Sequence, residues 1–115
     1  MYQKHYSQVL EDSGNESRAR EREAFDTAIE LLELADREGV DSRACIDALF
    51  FVRSLWMILM EDIASPENAF TDELRARIIS IGIWMLKRAE DIRLGHSADL
   101  QGLIEINSIV RDGLK

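Results

Sequence analysis

Apolar side chains recur every three or four residues along most of the chain, which is the period of an α-helix. Ala24, Phe25, Ala28, Ile29, Leu31, Leu32 and Ala35 share one arc of a helical wheel, and the opposite arc is charged. Cys45, Ala48, Leu49, Val52, Leu55, Trp56, Leu59 and Ile63 form a second stripe. Leu74, Ile78, Ile81, Met85, Ala89 and Ile92 form a third, and Leu100, Leu103, Ile104, Asn107, Val110 and Leu114 a fourth. The second and third segments carry more than a stripe. Ile46, Phe50 and Met57 fall on one flank of the second, Phe51 and Ile58 on the other, and Ile83 and Trp84 point away from the third. In the fourth, Ile106 and Ile109 widen the apolar arc. A helix this apolar is either enclosed by its neighbours, as the second segment is predicted to be, or offers the excess to a partner.

Stop and start signals divide the pattern. Ser13 and Glu16 have the spacing of a capping box. Gly39 and Gly95 suit left-handed stops, and Pro66 cannot continue a helix. Asp41 or Ser42, Thr71, and Ser97 or Asp99 stand where N-caps are needed. These signals predict helices over 14–38, 42–64, 72–94 and 98–113, preceded by an N-terminal arm over 1–12 that is either frayed or laid against the bundle. The fold class is all-α, an antiparallel bundle of about four helices in a single domain spanning 1–115. Gly82 borders the third stripe and suits close approach of a neighbouring helix.

The charge narrows the partners. The net charge is −8, which repels nucleic acid phosphates and anionic lipid and excludes direct nucleic acid binding unless a basic patch is present. The best such patch, Arg18, Arg20 and Arg22, is interleaved with Glu16, Glu21 and Glu23 and reads as intrahelical ion pairing. Cys45 is the single cysteine, so no internal disulfide forms; on its stripe it reads as a small buried hydrophobe. The longest strictly apolar run is six residues, 55–60, too short to span a membrane, and the first residues lack the apolar stretch of a signal peptide. The expected compartment is the cytoplasm.

Nothing in the sequence assembles a catalytic kit, and the chain is read as a non-enzyme with no catalytic, cofactor-binding or metal-binding residues. His5 and His96 lack spaced metal-site partners and read as solvated. Glu61 and Asp62 are adjacent on a helix and diverge by about 100°, so they do not pinch one substrate. No phosphate loop, nucleophile elbow or HExxH sequence occurs. Asn107 sits within an apolar arc, where a hydrogen bond that fixes helix register or a tie to the Pro66 loop accounts for it, and a polar contact inside a partner groove is the functional alternative. Trp84 admits two readings: covered by the arm and its tyrosines Tyr2 and Tyr6, or an interface anchor.

Several motifs occur in a fixed order: Leu55-Trp56, Glu61 to Asn68 (EDIASPEN), Leu74-Arg75-Ala76, Ile79 to Trp84 (ISIGIW), Leu103 to Asn107 (LIEIN), Ile109, and Arg111 to Leu114 (RDGL). With the opening Met1-Tyr2 and Leu10-Glu11-Asp12, this order resembles the FlaF family of flagellar biosynthesis regulators of alphaproteobacteria, over nearly the whole chain. His5 is a departure, since a less polar residue is expected there. The resemblance implies a small cytoplasmic protein needed for flagellin production and filament assembly. It also implies post-transcriptional action together with the regulator FlbT, and chaperone-like action on flagellin itself.

Helix-in-groove recognition unites the two lines. Flagellin's terminal segments are expected, on the resemblance, to be amphipathic and poorly folded before assembly. Phe50, Met57, Ile83, Trp84, Ile106 and Ile109 lie outside the core stripes and are the candidate partner-binding residues. Flagellin and FlbT are the protein partners implied; no direct nucleic acid or membrane partner is expected. A pure adaptor docking on FlbT and a homodimer that buries the surplus surface are the alternatives.

Overall fold

The computed structural model describes residues 2–113, with side chains described over 19–113. Its elements are four helices: α1 (Tyr2–Glu38), α2 (Arg43–Ala64), α3 (Asp72–Arg93) and α4 (Leu100–Gly113). The class and the count agree with the periodicity, and three of the four helix bodies fall within about two residues of their predicted bounds.

The start of the first helix does not. Tyr2–Glu38 is one continuous helix, so there is no separate arm and no break at Ser13. A capping box competes with continuation of the hydrogen-bond ladder. Continuing through Gly14 costs about 1 kcal/mol relative to alanine, and no proline stands there to forbid it. The side chains of Tyr2, His5 and Tyr6 lie outside the described residues, as does the proposed tyrosine cover for Trp84.

The remaining ends follow their chemistry. Gly39 takes a positive φ of 104° and its amide donates to the Ala35 carbonyl at 2.7 Å, a left-handed cap for α1. Ser42 Oγ accepts from the Cys45 amide at 3.1 Å and caps α2. Ser65 is extended ahead of Pro66 and ends α2. Thr71 Oγ1 accepts from the Leu74 amide at 3.2 Å, with Asp72 and Glu73 in the positive first turn of α3. Gly95 (φ 80°) closes α3 with two bonds, its own amide to the Ile92 carbonyl and the His96 amide to the Asp91 carbonyl. Asp99 Oδ1 accepts from the Gly102 amide at 2.9 Å and starts α4.

The helices stand at the corners of a square. α1 packs on α2 and α4, α2 also packs on α3, and the α3/α4 seam is the loosest. α2 and α4 therefore face each other across a diagonal, and there the core is tied. Trp56 is fully buried; its ring meets Phe25 of α1 edge-on at 5.7 Å between centroids. Trp56 Nε1 donates to Asn107 Oδ1 at 2.9 Å. Asn107 Nδ2 donates to the Leu103 carbonyl at 2.7 Å and lies 3.5 Å from Met85 Sδ. Asn107 thus has the register-fixing role its position suggested, and all four helices meet at this cluster.

Two placements differ from the stripes. Leu74, assigned to the α3 stripe, is exposed. α4 is only 14 residues against 22 for α3, about 21 Å against 33 Å, so the first turns of α3 run past the end of their neighbour. α2 is not enclosed either, because it has neighbours on two sides only. Gly82 is buried on the α2 side of α3, where an added Cβ would lie 2.5 Å from Met60 Sδ, so the Met60 side chain occupies the space a larger residue would need.

Asn107→Leu should cost about 1–3 kcal/mol in urea unfolding, because it leaves the buried indole N–H without an acceptor. In a Trp56→Phe background the same change should cost about 1 kcal/mol less. Equal costs in the two backgrounds would mean that the hydrogen bond is not what Asn107 contributes.

Candidate functional site

The surplus apolar residues are distributed over two faces. On α2, Ile46, Phe50, Arg53 and Met57 are spaced i, i+4, i+7 and i+11, which sets them in one row. Ile46 is 60% exposed and Phe50 70%. This row borders α3, as the Met60–Gly82 approach shows. Between the first half of α2 and the last half of α3 lies a groove of about 240 Å³. Ile46, Leu49, Phe50, Leu86, Ala89 and Ile92 supply its apolar lining, with Val40 at one end. Ile83 lies on the flank of α3 beyond Gly82, on this side of the molecule by helix geometry, and is exposed.

The groove's charged residues are Asp41, Arg53, Glu90 and Arg93. Glu90 and Arg93 form a two-pronged pair, Arg93 Nε to Oε2 at 3.0 Å and Nη2 to Oε1. The hydrogen bond from Arg93 holds the Glu90 carboxyl below its ordinary range. Cys45 lines the floor, 1% exposed; burial first, and Asp41 second, push its thiol above the ordinary value.

The second face belongs to α3 and α4. Trp84 is half-buried and packs on the core. The Arg88 guanidinium stands over its ring at 5.3 Å. Arg88 also donates to Ser97 Oγ at 3.3 Å and lies 3.9 Å from Asp99 Oδ2. Trp84 is therefore neither bare nor sealed. Ile106 is half-buried and packs on the core, whereas Ile109 is 66% exposed. Both fall on the flank of α4 away from Arg111, which pairs with Asp26 of α1 at 3.1 Å. That flank is the α3 side.

Among the described residues no group of three or more His, Cys, Asp or Glu is placed to hold a metal ion, and no helix is long and apolar enough to cross a membrane. The family model described as flagellar protein FlaF matches residues 2–114, essentially the whole chain. The chain belongs to the FlaF family. No curated protein and no solved structure matches it.

In this FlaF chain, then, the six candidate residues do not form one groove. Phe50, Met57 and Ile83 belong to the α2/α3 face, and Trp84, Ile106 and Ile109 to the α3/α4 face. Only Phe50 lines the groove itself. Ile46, Leu86 and Arg53, which the candidates omit, line it too. For Ile46 and Arg53 the signal is the spacing, since Ile46 precedes Phe50 by one turn and Arg53 follows by one; Leu86, on α3, carries no such signal. Which face of α3 turns toward α2 depends on the Gly82–Met60 approach, which the periodicity does not contain.

Phe50→Ser should change the unfolding free energy by less than about 0.5 kcal/mol, as for other exposed positions. Trp84→Ala should cost about 1–3 kcal/mol, because it removes core packing and the Arg88 stacking. Urea titrations of the two variants check this; a larger loss for Phe50→Ser would place Phe50 in the fold rather than on a free surface. The Cys45 thiol should react with iodoacetamide at pH 8.5 far more slowly than in urea-unfolded chain. Equal rates would contradict its burial.

Proposed function

We propose that this FlaF-family protein serves flagellar biosynthesis as a non-enzymatic cytoplasmic binding module. It holds an amphipathic segment of flagellin in a chaperone-like way and acts with FlbT to set flagellin synthesis and export after transcription. Family membership across residues 2–114 supports the flagellar assignment. The observation that carries the binding role is the α2/α3 face, where Ile46, Phe50, Met57 and Ile83 stay exposed although the core beneath them is closed. Large apolar side chains left in water, set in a row at helical spacing, suit the apolar stripe of another helix. Full burial of each is worth about 1.5–3 kcal/mol before the costs of association. Methionine at position 57 adds adaptability to an irregular partner. The net charge of −8 disfavours direct contact with messenger RNA and leaves that role to FlbT.

The reading is tested by co-purification from a motile host with and without FlbT. Flagellin should be retained in both, and Phe50→Ser should reduce retention at least tenfold with little change in melting temperature. Capture of FlbT with no flagellin would replace this reading with that of a regulatory adaptor. A concentration-dependent dimer that buries Phe50 would replace both.

A further inference from the structure

Two apolar faces are available, and their cations distinguish them. On the α3/α4 face the cation is committed. Arg88 covers Trp84, donates to Ser97 and stands near Asp99. On the α2/α3 face Arg93 is committed to Glu90, but Arg53 is not. Arg53 attracts the Glu90 carboxylate, but both Glu90 oxygens already accept from Arg93. Among the described residues Arg53 forms no ion pair within 4 Å and has only a longer-range attraction to Glu90. It projects from the same row as Ile46, Phe50 and Met57, one turn beyond Phe50, and lines the groove. The other carboxylate of the groove, Asp41, stands near Cys45, twelve residues before Arg53 in the chain.

The occupant follows from this arrangement. Ile46 to Met57 spans about 16 Å along α2, three helical turns. A row spaced i, i+4, i+7 and i+11 beside a second helix accepts the ridge of a third helix. Where that helix passes Arg53 it meets a guanidinium with open donor positions, which calls for a carboxylate. We propose that the α2/α3 groove binds a three-turn amphipathic helix of a partner protein in which an acidic side chain borders the apolar stripe and pairs with Arg53. This deepens the binding reading above and rests on it. Apolar contact with Phe50 and Ile46 supplies affinity, and the Arg53 pair fixes register and selects against basic helices.

The test uses the full chain and two synthetic helical peptides with the same apolar stripe. One carries Glu beside the stripe and the other Lys. Both should shift the backbone amides of Ile46, Phe50 and Leu86 in NMR titrations, and the Glu peptide should bind about fivefold more tightly. Arg53→Gln, a change on an exposed helix face, should keep the melting temperature and abolish the difference. Phe50→Ser should remove binding of both peptides. Equal affinities, shifts centred on Trp84 and Ile109, no binding of either peptide, or sedimentation showing Phe50 buried in a dimer would each overturn the proposal. Flagellin retention separates the two claims. Retention without charge preference sinks only the inference, whereas charge-selective peptide binding without retention sinks the flagellin reading and leaves the groove.

Discussion

One hydrogen bond across the bundle diagonal constrains the rest of the structure. Trp56 and Asn107 belong to helices that are not neighbours, so their 2.9 Å contact exists only when α1 and α3 hold the other two corners. Phe25 from α1 closes on the Trp56 ring edge, and Met85 from α3 lies against the Asn107 amide. A slip of α2 or α4 by one residue moves its contribution about 100° round the axis and strands a buried polar group, and a slip of α1 or α3 removes the Phe25 or Met85 contact. No buried side-chain N or O is left without a partner among the described residues. The network sets axial register and rotation together, which apolar packing alone specifies poorly.

Once rotation is fixed, the outward faces are fixed as well. With Trp56 and Val52 of α2 turned to the centre, Phe50 and Ile46 have nowhere to turn but out. The same holds for Ile83 on α3 once Met85 and Ala89 face inward. The short α4 cannot reach round to cover α3 along its length, and the looser α3/α4 seam follows from its 14 residues. Exposed apolar area on this protein is thus a consequence of how the core is keyed, and mutation on the α2/α3 face has little to disturb in the fold.

Much of this was legible in the residues. Helix count, caps at Ser42 and Thr71, stops at Gly39, Pro66 and Gly95, and the buried stripe of α2 all rest on local rules. Asn107 was recognisable as a tie because a polar residue within an apolar arc requires a partner. The failures share a cause: they depend on what lies beside a helix, not on the helix itself. The break at Ser13 was overridden by the intact ladder of α1. Leu74 has stripe spacing but no neighbour at its level. The six candidate contacts share only their angle away from each helix's own core, a measure silent on which helices share a face, so they divide between two faces. Ile46 and Arg53 lie in the same row as Phe50, yet only a known neighbour for that row makes them a groove.

The two apolar faces differ in what an approaching ligand would have to undo. Arg88 is satisfied from within the chain, so a ligand approaching Trp84 must displace the Ser97 contact and the stacked guanidinium before it gains apolar burial. At the α2/α3 groove no such contact has to be undone, because Arg93 takes both Glu90 oxygens and Arg53 has no ion pair within 4 Å among the described residues. Desolvating a cation that ends up paired costs less than desolvating one whose existing partner is lost. The α2/α3 face is therefore the one where added apolar contact would not first have to break an internal contact.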